Sequence, residues 1–211
     1  MAMTLTVSEA RVLGALIEKE MTTPEYYPLS LNALVNACNQ KSNRDPVAGY
    51  DEQTVLRAIE GLKQEGLALT LTGREMRVPK YGHRISEIWN LGNRELAVLQ
   101  VLLLRGPQTV GEIKERAARA HAFDDLDAVE SCLKRLMEFA PDPLAARLPR
   151  APGSREARFG HLLCGDLEQE PATAPAGVDR IAAIETEVAG LREEVKQLRQ
   201  ALADFCRQFE S

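Results

Sequence analysis

Aromatic residues are scarce here, 5% of 211 positions, which favours a core of Leu, Ile, Val and Ala packed between helices over an aromatic-rich sandwich. No apolar run approaches the roughly eighteen residues that a bilayer span requires. The opening Met1-Ala2-Met3-Thr4-Leu5-Thr6 lacks the basic flank, apolar stretch and small-residue cleavage site of a secretory signal, so a cytoplasmic place and no membrane partner are expected. The four cysteines, Cys38, Cys132, Cys164 and Cys206, form no Cys-x-x-Cys pair and suit neither a zinc knuckle nor a disulfide framework. Cys38 and Cys132 fall on apolar helical faces, where a reduced thiol acts as a small hydrophobe.

Chemistry-bearing motifs are missing too. There is no phosphate-cradling Gly-rich loop, no Gly-x-Ser-x-Gly elbow and no His pair at helical metal-ligand spacing. The chain therefore reads as no enzyme, with no cofactor and no metal. A strongly basic balance is also absent. Residues 1–90 carry net −1, residues 91–165 net +1 and residues 166–211 net −5, so the overall −5 lies in the tail. Neither of the first two segments has the charge of a typical non-specific DNA binder.

Hydrophobic residues make up 45% of the chain, enough for a real core, and their spacing is informative. Thr6 and Glu9 form a capping box ahead of Val12, Leu13, Leu16 and Ile17 at helical spacing. After a Pro-rich break, Ser30 caps a second helix with Leu31, Leu34, Val35 and Cys38 inward. Asp51 caps a third with Val55, Leu56, Ile59 and Leu62, ended by Gly66. Leu67, Leu69 and Leu71 then alternate as a strand, and Met76 and Val78 alternate on the return. Helix, helix, helix, hairpin is the order of a winged helix.

The same order recurs with Val98, Leu99, Leu102 and Leu103, a second capping box at Thr109 and Glu112, and a third helix marked by Leu126, Val129, Cys132, Leu133 and Leu136. A second hairpin is expected from Leu144 to Leu148 and from Ala157 to Leu163. Both copies close alike, on Lys80-Tyr81-Gly82-His83 and Arg158-Phe159-Gly160-His161. The expected fold is mainly α with small β-hairpins (α+β): winged-helix units at 5–90 and 91–165, a linker at 166–177 and a coiled-coil helix at 178–211.

In that last segment Ile181, Val188, Val195, Leu202 and Phe209 take a positions and Ile184, Leu191, Leu198 and Phe205 take d positions. β-branched a residues with Leu at d favour a parallel two-stranded coil, so the expected partner is a second copy of the chain. Glu187 and Glu194 at g face Arg192 and Arg199 at e. The alternative is a helix folded back on its own domains.

Candidate contacts lie in three places. The hairpins carry Arg74, Arg77 and Lys80 in the first copy and Arg147, Arg150, Arg155 and Arg158 in the second, placed to meet phosphates or simply to keep edge strands apart. Asn32 and Asn36 at helical spacing run into Lys41, Asn43 and Arg44, a binding edge or a loop tied to itself. The third helices are acidic, net −2 over residues 51–65 and net −3 over residues 124–138, which opposes the usual DNA-reading role. His83 and His161, at equivalent positions, read as structural.

Several strings resemble the YceH family of uncharacterised bacterial proteins. They include Arg11-Val12-Leu13-Gly14-Ala15-Leu16-Ile17-Glu18-Lys19, Tyr27-Pro28-Leu29-Ser30-Leu31-Asn32-Ala33-Leu34 and, most specifically, Cys38-Asn39-Gln40-Lys41-Ser42-Asn43-Arg44. The resemblance covers residues 5–165 and implies a tandem winged-helix fold in a cytoplasmic bacterial protein. It implies no reaction and no functional residues. Two readings stay open: a DNA-binding or regulatory protein using basic hairpins, and a protein-interaction adaptor, similar in plan to the tandem winged-helix subunits of chromosome-segregation complexes.

Overall fold

Five of the six longer helices among the described residues begin where a short polar side chain accepts a free backbone N–H. Thr6, Ser30, Asp51, Thr109 and Asp125 accept from Glu9, Ala33, Thr54, Glu112 and Ala128 at 2.8 to 3.4 Å. The sixth start relies on Glu95, whose carboxylate accepts from the Gly92 N–H at 3.0 Å. The computed structural model describes residues 4–73, 76–150 and 156–165. Arg74, Arg155, the linker at 166–177 and the whole heptad stripe from Ile181 to Phe209 lie outside the described residues.

The first half runs α1 (Val7–Thr22), a 3-10 turn (Pro24–Tyr26), β1 (Leu29–Ser30), α2 (Leu31–Cys38), α3 (Glu52–Gln64), β2 (Ala68–Leu71) and β3 (Lys80–His83). A short α4 (Ile85–Ile88), which the apolar spacing did not foretell, leads into the second half. That half runs α5 (Asn93–Arg105), α6 (Val110–Ala117), α7 (Leu126–Met137), β4 (Ala145–Arg147) and β5 (Phe159–His161). The architecture is α+β, helices carrying two small antiparallel sheets. None of the described helices is long and apolar enough to cross a membrane.

The recurrence in sequence extends to strand register. In the first sheet, order β1-β3-β2, Ala68 lies opposite His83 and Leu29 opposite Tyr81. In the second, Ala145 lies opposite His161, and an isolated bridge from Gln108 to Phe159 stands where Leu29 meets Tyr81. Gly66 ends α3 at φ +74°, with Leu67 N–H donating to Leu62 O at 2.8 Å and Gly66 N–H to Lys63 O at 3.0 Å. This is the double closure that a left-handed glycine permits.

Two expectations shift. The return strand starts at Lys80 rather than at Met76, because Pro79 has no N–H for the ladder; Met76 and Val78 are exposed. Leu56 is 41% exposed, since the buried stripe of α3 runs through Val55, Ala58, Ile59 and Leu62 and Leu56 is turned off it.

The halves are not separately cored. One continuous cluster of buried side chains runs from Leu5 to Leu163. Its centre is the packing of α1 on α5, where Gly14 is needed: a Cβ there would lie 2.9 Å from the Leu103 Cβ. At one end of the body Leu5 N–H donates to Leu163 O at 2.6 Å.

Candidate recognition surface

The segment between α2 and α3 holds the string that looked most like a binding edge, and most of its polar groups point inward. The Arg44 guanidinium is buried. Its Nη1 and Nη2 donate to Glu18 Oε1 and Oε2 at 3.1 and 2.6 Å. The same group caps α2, with Nε and Nη2 on Ala37 O at 3.0 and 2.8 Å and Nη1 on Asn43 O at 2.8 Å. Arg11, also buried, donates to Cys38 O at 3.3 Å and to Pro46 O at 2.7 Å. Desolvation lowers the Arg11 pKa from its ordinary value. Asn39 reads the Tyr50 backbone at both ends, at 2.7 and 2.8 Å. Asn43, at φ +58°, accepts from Arg105.

Arg44 is therefore not a charge offered to a partner, which corrects the sequence reading, and Asn43 is largely spent. Burial of an unpaired guanidinium is unfavourable, and here the Glu18 carboxylate and the Ala37 and Asn43 carbonyls satisfy it. Lys41, Ser42 and Asp45 stay outward, together with Asn32 and Asn36, which bond each other at 2.7 Å.

The hairpins do face solvent. Arg77, Arg147 and Arg150 are exposed, while Lys80 is half-buried across from Leu71. Arg158 is already engaged, its Nη1 donating to Pro107 O at 2.8 Å and lying 3.3 Å from Glu112. The described hairpin segments thus offer fewer free cations than the sequence count. Among the described residues, large exposed apolar side chains accompany them in the first hairpin: Leu71, Met76 and Val78 at 37%, 41% and 52% exposure. Leu56 on α3 is likewise exposed, whereas Leu126 is the one large aliphatic so exposed among the described residues of the second half. Beside it α7 turns Asp127 and Glu130 to solvent, and Glu138, which follows the helix, is exposed as well.

The two histidines sit in one fold position with different surroundings. His83 Nδ1 accepts from the Ile85 N–H at 3.3 Å, and its Nε2 lies 2.7 Å from Glu20. Tyr27 seals the site, its hydroxyl accepting from the His83 N–H at 2.7 Å and its pKa raised chiefly by burial. His161 has no equivalent acid: its Nδ1 is buried without a partner, and burial pulls its pKa down to about 4. No cluster of three metal-ligating side chains exists among the described residues. A shallow groove at the end of α7 is lined by Lys134 and Arg135, which are paired with Glu138 at 3.9 Å and Glu95 at 3.1 Å.

Sequence reasoning missed Arg11 and Glu18. Their signal was there: two charges seven apart share one helical face, and both flank an apolar stripe with small residues on its other side.

Residues 5–154 match the family model described as "Protein of unknown function, DUF480". The chain is 52% identical to the UPF0502 protein of Solibacter usitatus, with 98% of each chain covered. It is 53% identical to those of Pelobacter propionicus, over the whole of both chains, and of Geobacter sulfurreducens, over 96% of each.

Proposed function

The chain belongs to the DUF480 family of bacterial proteins of unknown function, the YceH and UPF0502 proteins, and from that footing we propose that it is a non-enzymatic tandem winged-helix adaptor that grips another protein. The two winged-helix units are residues 5–90 and 91–165, and the protein acts in the cytoplasm. What carries this reading is the set of exposed aliphatic side chains in the first half, Leu56, Leu71, Met76 and Val78, together with the acidic balance of the third helices. Exposed aliphatics at a hairpin gain by burial against protein and gain nothing against a phosphate backbone. Crosslinking in native lysate tests it: capture by the parent chain should be lost in a Leu71→Glu, Val78→Glu double variant. Capture unchanged by those substitutions sinks the reading.

DNA is the second reading, supported by exposed Arg77, Arg147 and Arg150 on the hairpins. It requires salt-dependent duplex binding that weakens when those arginines become Ala while Glu60→Gln and Glu130→Gln leave it intact.

Homodimerisation is part of the same proposal. Its support is the heptad stripe in the sequence from Ile181 to Phe209. Sedimentation of the full chain and of residues 1–177 checks it: dimer and monomer are expected, and a monomeric full chain removes the coil.

A further inference from the structure

Helix C-termini leave carbonyls without partners, and two of them in this body are closed by the same stretch of chain. Arg44 and Arg11 take the Ala37 and Cys38 carbonyls that end α2. At the other side of the stretch, Asp45 N–H donates to Leu104 O at 2.9 Å, in the last turn of α5. Arg105, the final residue of α5, donates to the Asn43 side chain. Asn43 reaches that position through its left-handed backbone, φ +58°. α2 and the stretch belong to the first half, α5 to the second.

We infer that residues 39–46 are a clasp that fixes the angle between the two halves, and that the string Cys38 to Arg44 exists for this purpose rather than for ligand contact. The apolar packing of α1 on α5 brings the halves together, and the clasp adds directional bonds to it. The bonds from Asp45 and Arg105 are directional and are anchored through Arg44 to Glu18 on α1. Glu18 ties the clasp to one helix of the central pair and Leu104 ties it to the other. The outward surfaces of the halves are thereby held at one spacing. This holds whichever partner the protein grips and whether or not the halves are winged helices.

The test reads that spacing directly. Spin labels go on the exposed positions Glu60 and Glu130, as Glu60→Cys and Glu130→Cys, with Cys164 and Cys206 changed to Ser. Labelled full-length chain is diluted in unlabelled chain, so that only distances within one chain are measured. The parent should give one narrow distance. Asn43→Gly keeps the left-handed backbone but removes the acceptor for Arg105; Arg105→Met keeps the apolar stem and removes the donor. Each should broaden the distribution or add a second distance. Hydrogen exchange gives an independent measure: the Asp45 amide, protected in the parent, should lose protection in both variants. A parent distribution already broad, or variants that keep both the narrow distance and the Asp45 protection, would overturn the clasp.

Discussion

Arg44 and Glu18 meet as a fork-to-fork pair at 3.1 and 2.6 Å, the guanidinium wholly shut off from solvent and the carboxylate nearly so. Removing one partner strands the other charge and also uncaps α2. Arg44→Met should therefore lower unfolding free energy by about 3–5 kcal/mol in urea titrations. Lys41→Ala, three residues away and exposed, should change it by no more than about 0.5 kcal/mol. Equal effects would return Arg44 to the surface.

Two glycines in helices should respond with opposite signs. Gly14→Ala drives a methyl into Leu103 and Leu104 at 2.9 and 3.0 Å and should destabilise by about 1–3 kcal/mol. Gly111, in the first turn of α6, has nothing within 4 Å of an added Cβ, so Gly111→Ala should stabilise by about 0.5–1 kcal/mol. Thermal melts of the two variants separate close packing from backbone freedom.

Acid should weaken the protein through His161. Its folded-state pKa, about 4, lies below the ordinary value near 6.5, so between these values the unfolded chain takes a proton that the folded chain refuses. Stability is full above about pH 6.5 and falls as pH drops towards 4, by about 2–3 kcal/mol from this group. His161→Gln is neutral throughout and should flatten that part of the pH profile. An unchanged slope places the acid sensitivity elsewhere.

Thiol chemistry offers a further check. Burial pushes the Cys38 pKa up to about 12, leaving a thiolate population about a thousandfold below that of an ordinary thiol. Cys38 should be unlabelled by a thiol reagent in the native chain and labelled fully in denaturant, with peptide mapping assigning the site. Rapid native labelling would mean that the end of α2 opens.

How legible this was in advance depended on the range of the forces involved. Caps and apolar periodicity are local, so Thr6, Ser30, Asp51, Thr109 and Gly66 could be read from the sequence and stand as expected. The short bridge at Gln108 and the strand at Leu29 could not, because each is defined by a partner about fifty residues away. Arg44 shows the same limit. A charged residue in a polar loop looks exposed until Glu18, twenty-six residues earlier, is brought beside it. Pro79 was visible, and its missing N–H was the clue that the return strand starts late.

The closeness of Gly14 to Leu103 bears on cutting the protein apart. Two look-alike halves invite treatment as portable modules, each to be expressed, swapped or fused at will. Yet α1 and α5 have each become the other's solvent-excluding wall, buried over residues 10–18 of the one and 95–104 of the other. A half taken alone would bare a stripe of small and aliphatic side chains as sticky as any aggregation seed. The two halves are a single body in which a substitution on either central helix is felt by the other.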